Sequence, residues 1–145
     1  MSAAPQTLKI TPIKTAIFHW GEDLNSFLRH SLRGTVLKDG DILVITSKIV
    51  SLSECQTLAK DKVDKAQLII SEADYDLGEV AFGCRLTIKH GLFIPSAGID
   101  ESNSEADHYI LFPKDPFLSA QRIHQSTRHP VVADNDETLD DVRCG

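Results

Sequence analysis

The spacing of apolar residues changes several times along this chain, and each change marks an element. Leu24, Phe27, Leu28 and Leu32 recur at helical spacing and predict a helix over residues 22–33 with one buried face. Gly21-Glu22-Asp23 opens it with acidic residues that favour the positive end of a helix dipole, and Gly34 closes it. After an Asp39-Gly40-Asp41 turn, Ile42, Leu43, Val44 and Ile45 follow without a polar interruption. That run predicts a central strand buried on both faces, continuing into Thr46-Ser47-Lys48-Ile49-Val50-Ser51. Ala59, Val63, Ala66 and Ile70 share one side of a predicted helix over 59–74, with lysines and aspartates on the other. Leu86 and Ile88, then Leu92, Phe93 and Ile94 across His90-Gly91, predict two short strands joined by a tight turn. A further strand falls at 109–112. Asp115 is placed to cap a helix that has Pro116 in its first turn and runs over 116–126, with Phe117, Ala120 and Ile123 as its buried stripe. Residues 8–13 read as a short first strand that Pro12 puts at an edge.

Together these elements predict an α+β fold: a mixed β-sheet with flanking helices near 22–33, 59–74 and 116–126. Residues 1–125 form one domain, and 126–145 read as a polar, flexible tail. A length of 145 residues and a hydrophobic content of 41% suit a single packed core. The net charge of -6 lacks the electrostatic footprint of a nucleic-acid binder. Cys55, Cys84 and Cys144 are odd in number and form no Cys-x-x-Cys, so reduced thiols are expected rather than a disulfide framework or a zinc ribbon. The start, MSAAPQTLKI, is not that of a signal peptide, and no apolar run is long enough to span a membrane. A cytoplasmic location is the expectation.

Two stretches carry candidate chemistry. Thr46, Ser47 and Lys48 bring hydroxyls and an ammonium to the end of the apolar run, where they can donate to anionic oxygen. The same residues equally fit a strand that turns amphipathic on reaching solvent. Ala97-Gly98-Ile99 is small and flexible, and Asp100, Glu101, Ser102 and Asn103 then gather oxygen ligands. A carboxylate and an amide three residues apart can serve a hard metal and a phosphate together. An Asp/Ser/Asn turn bonded to its own backbone fits the spacing as well. The six histidines include no His-x-x-x-His pair, and no Walker-type loop, Gly-x-Ser-x-Gly or Gly-x-Gly-x-x-Gly occurs.

Several stretches taken together resemble the coenzyme F-420-0:gamma-glutamyl ligases. Gly40-Asp41-Ile42-Leu43-Val44-Ile45-Thr46-Ser47-Lys48-Ile49-Val50-Ser51 is similar to one family segment, and His90-Gly91 followed by Ala97-Gly98-Ile99-Asp100-Glu101-Ser102-Asn103 to its most specific motif. Gly21-Glu22-Asp23-Leu24 and Leu111-Phe112-Pro113-Lys114-Asp115-Pro116, with Ser119-Ala120 and Arg122-Ile123, resemble two more. The motifs keep the family's order over residues 8–125.

The resemblance implies GTP-dependent addition of L-glutamate to the carboxylate of a deazaflavin coenzyme precursor, through an acyl phosphate and with Mn²⁺ or Mg²⁺. By position it implies that Asp100 binds metal. It places Asn103, Ser47 and Lys48 on the nucleotide, with Thr11, Pro12, Ile13 and Lys14 as a first nucleotide-contacting stretch. No residue is assigned a catalytic role. The resemblance also implies GTP or GDP, L-glutamate and the deazaflavin-type acceptor as partners, and a homodimer or a C-terminal half to complete the fold. Two departures stand out. Leu52 replaces a nucleotide-binding lysine, and nothing in 126–145 resembles the family's second half. The alternative is therefore a catalytically incomplete nucleotide-binding or assembly domain of the same fold.

Overall fold

A computed structural model describes residues 8–102 and 107–128. The described residues include four α-helices: α1 (Leu24–Ser31), α2 (Ser47–Ser53), α3 (Lys65–Glu72) and α4 (Pro116–Arg128). Among the described residues five short strands form two antiparallel sheets. β1 (Thr57–Ala59) pairs with β5 (His108–Ile110), and β3 (Arg85–Lys89) lies between β2 (Tyr75–Glu79) and β4 (Leu92–Pro95). The expected α+β class holds.

Local chemistry explains where the helices start. Asp23 accepts the Ser26 N–H at 2.7 Å, Asp64 the Gln67 N–H at 3.0 Å and Asp115 the Leu118 N–H at 2.9 Å. Each bond satisfies a donor that has no partner within its own helix. α1 turns Phe27 and Leu28 inward against Phe18, with the Phe18 and Phe27 rings edge to face at 4.9 Å. Leu24, Ile45, Ile49, Leu52 and Ile123 pack around them, so α1, α2 and α4 share one core. The His90-Gly91 turn joins β3 and β4 in the register Lys89↔Leu92, with both turn residues at positive φ. That is the backbone a two-residue hairpin loop requires.

Other expectations are corrected. Residues 42–45 form no strand, and no described segment pairs with them. Ile42 is 78% exposed and Val44 85%, while Ile45 packs on the helical core. An apolar run becomes a central strand only when partners supply a ladder on each edge, and none does so here. Residues 8–13 likewise form no strand. The stretch after Thr46 is helix α2 rather than a strand end, because Ile49 and Leu52 reach the core from one helical face. The helix expected over 59–74 is shorter. Ala59 ends β1 opposite His108, a 3₁₀ turn spans Lys60–Lys62, and the Asp64 cap restarts the chain as α3. α4 continues through Thr127 to Arg128, past the expected break, and residues 129–145 of the expected tail lie outside the described residues. Cys84 is a free thiol, but Cys55 is disulfide-bonded, against the expectation of reduced thiols. Residue spacing alone does not reveal which thiols approach each other. No described helix is long and apolar enough to cross a membrane.

Candidate functional site

Lys48 sits in the first turn of α2 and reaches across to the segment after β4. Its Nζ lies 2.6 Å from Asp100 Oδ2, and it donates to the Ser102 carbonyl at 3.0 Å and hydroxyl at 3.1 Å. Asp100 Oδ1 accepts the Ser102 N–H at 2.8 Å and its hydroxyl at 2.7 Å. Burial alone would raise the Asp100 pKa. The hydrogen bonds from Lys48 and from the Ser102 hydroxyl and amide, with the Lys48 charge, outweigh it and hold the group at about 2. Asp100 is therefore a carboxylate at neutral pH.

The backbone fixes Asp100 from both sides. Asp100 and Ile110 exchange two hydrogen bonds, at 2.8 and 2.7 Å, so the segment is bridged to β5. β5 is in turn paired with β1, and Leu111 donates to the Gln56 carbonyl at 2.9 Å just after α2. Upstream, Ser96, Ala97 and Gly98 form a tight turn with φ of 51°, 53° and 74°. A Cβ on Gly98 would lie 2.6 Å from the Phe112 ring and 2.9 Å from Ile94 Cδ1, so the position has no room for a side chain. Two more cations face the same stretch. Lys65 is 2.5 Å from Glu101, and Lys60 is 3.3 Å from Asp107 and lies over the Tyr109 ring.

Of the residues expected at the site, Lys48 and Asp100 are brought together from 52 positions apart (100 minus 48). Ser47, the neighbour of Lys48, instead lines an open apolar cleft of about 670 Å³ between residues 37–45 and α4, with Leu43, Val44, Ser119 and His124 among its walls. Thr11, Pro12, Ile13 and Lys14 lie on a mostly exposed segment without regular secondary structure, and no described hydrogen bond or ion pair ties them to Lys48 or Asp100. Asn103 lies outside the described residues. Leu52, which stands where the resemblance implies a lysine, packs against the Phe18, Phe27 and Leu28 cluster. Sequence reasoning singled out Ser102 only as one oxygen among several.

The donor set fits a metal only in part. Among the described residues no group of three or more His, Cys, Asp or Glu side chains could hold an ion. Asp100 is a single ionised carboxylate beside a lysine and a hydroxyl. Such a set suits Mg²⁺ or Mn²⁺ when phosphate oxygens and water supply the remaining positions, as is usual for these hard ions. It does not suit a metal held by protein alone.

The family described as F420-0:Gamma-glutamyl ligase matches residues 12–134. A coenzyme F420:L-glutamate ligase of Natronomonas pharaonis is 29% identical over 137 residues, covering 79% of this chain and 53% of that protein. One from Methanopyrus kandleri is 26% identical over 147 residues, covering 88% and 57%. One from Methanocaldococcus jannaschii is 28% identical over 136 residues, covering 81% and 53%. The chain spans about half the length of these curated relatives.

Proposed function

Because this chain belongs to the F420-0:gamma-glutamyl ligase family, we propose that it binds GTP together with Mn²⁺ or Mg²⁺ and presents the nucleotide for glutamate ligation. The observation that carries this is the 2.6 Å contact between Lys48 Nζ and Asp100 Oδ2, which brings an ammonium and an ionised carboxylate to one point on the surface. A lysine neutralises phosphate oxygen as a point charge. Asp100 would hold a divalent ion, and Lys48 would neutralise the phosphates. In the bare protein the two groups neutralise each other.

The ion supplies charge neutralisation along the phosphates. In the reaction proposed, an oxygen of the acceptor carboxylate attacks the γ-phosphorus, the bond to the GDP oxygen breaks and GDP leaves. The amine of L-glutamate then attacks the acyl carbon, the carbon–oxygen bond breaks, phosphate leaves and the amine proton passes to water. The chain's part is positioning and neutralisation, with Lys48 and Ser102 orienting the charged groups. The acceptor in this reading is the deazaflavin-type carboxylate that the family resemblance implies; the relatives are named for coenzyme F420 and L-glutamate.

A second reading has its own support. Leu52 packs on the core where the resemblance implies a lysine on the nucleotide. A nucleotide-binding or assembly domain without complete catalysis fits that replacement. Incubation of the chain with GTP, Mn²⁺, L-glutamate and a deazaflavin acceptor, read by mass spectrometry, separates the two. Glutamylated acceptor supports the full ligase, whereas bound nucleotide without product supports the incomplete domain.

A further inference from the structure

We propose that Thr87 is a positioning residue whose hydroxyl fixes the Ser96–Gly98 turn and thereby holds Asp100 beside Lys48. Thr87 lies in the middle of β3, opposite Ile94 of β4, and is fully buried. Its Oγ1 donates to the Ile94 carbonyl and accepts the Ala97 N–H at 2.8 Å. One hydroxyl thus clasps the last turn of the hairpin strand and the turn that follows it.

That turn needs outside support. Ser96 and Ala97 sit in the left-handed region, which disfavours a residue with a Cβ. Such conformations persist where the surroundings over-determine them. Ala97 is fully buried, so water cannot take over its N–H if the hydroxyl is lost. Downstream, Ile99 donates to the Ser96 carbonyl at 3.0 Å, and Asp100 then enters its double bridge with Ile110. The direction of the Asp100 side chain follows from these two anchors, one of which is Thr87. Ser102 and Lys48 bond the Asp100 carboxylate that this backbone presents.

For its functional consequence this rests on the reading of Asp100 as the metal carboxylate, and the test keeps the two apart. Thr87→Val preserves shape and removes the hydroxyl, while Thr87→Ser keeps the hydroxyl. Amide hydrogen exchange is measured on both variants and on the unaltered chain, without metal or nucleotide. The expected result in Thr87→Val is exchange faster by roughly tenfold or more at the Ala97, Asp100 and Ile110 amides. The β2–β3 amides are unchanged, and Thr87→Ser behaves as the unaltered chain. Unchanged protection in Thr87→Val, equal acceleration in both variants, or acceleration spread evenly over β2 and β3 would each overturn the positioning role.

A parallel calorimetric titration with GTP and Mn²⁺ tests the consequence. Thr87→Val is expected to bind roughly tenfold more weakly than Thr87→Ser. Equal affinities overturn the link between Thr87 and the site. If the unaltered chain binds no nucleotide, the reading of Asp100 fails, while the exchange data still decide whether Thr87 positions it.

Discussion

Asp100 is held as a carboxylate by the very groups that a phosphate would compete for. Its folded pKa is about 2, against 3.8 for the free side chain. A carboxyl group with a lowered pKa stabilises the fold while it is ionised. The contribution is complete above pH 3.8 and disappears as the pH falls towards 2. About a third of the side chain is solvent-exposed, so screening limits the effect to below about 1 kcal/mol. Urea unfolding from pH 5 down to 2 is expected to show a loss of stability in the unaltered chain that is smaller in Asp100→Asn. Parallel pH dependences in the two would contradict the pairing. At this scale the sequence was informative where side-chain type decides the chemistry. Lys48 and Asp100 were both singled out from the residue types and the motif, yet nothing in their spacing required that they meet. Ser47 shows the converse: its neighbour faces the carboxylate, while successive helical positions point about 100° apart and send Ser47 to another surface.

At the scale of elements, the turn before Asp100 and the hairpin that precedes it set the geometry. Gly98→Ala is expected to cost about 2–4 kcal/mol, since the added Cβ meets Phe112 and Ile94 in a backbone of positive φ. Gly83→Ala, also at positive φ but with nothing within 4 Å, is expected to cost only about 1–2 kcal/mol. Equal losses in chemical denaturation would mean that crowding at Gly98 is relieved by movement of Phe112. Elements whose signal is local were legible: the Asp115 cap, and the two-residue turn at His90-Gly91. Elements whose identity depends on distant partners were not. The apolar run at 42–45 has the composition of a central strand but no ladder, and α2 is helical despite its β-branched Ile49 and Val50 because its helical face meets the core. Asp64 was overlooked as a cap because the apolar period runs through it, and its removal by Asp64→Ala is expected to cost about 1 kcal/mol of stability.

Over the whole molecule, apolar surface is distributed unevenly. Besides Ile42 and Val44, the outer face of the three-stranded sheet shows Tyr75 and Phe93, which flank Ile88 in register and are 67% and 65% exposed. Contiguous apolar surface of this kind marks association in soluble proteins. We propose a homodimer, expected in light scattering as a mass twice the 16.0 kDa of one chain. A monomer at tens of micromolar would remove the second copy as the covering surface. The extent of that surface was not legible in advance, because each apolar run reads as core until its partners are known.

The central claim is that Lys48 and Asp100 form a nucleotide site completed by a divalent ion. Calorimetric titration of GTP into the unaltered chain and into Asp100→Asn, each with and without Mn²⁺, addresses it most directly. The expected result is GTP binding by the unaltered chain that tightens with Mn²⁺, and no such tightening in Asp100→Asn. Mn²⁺ alone should bind only weakly, since no group of three or more ligating side chains occurs among the described residues. An equal gain from Mn²⁺ in both proteins, or no GTP binding by a folded unaltered chain, would contradict it.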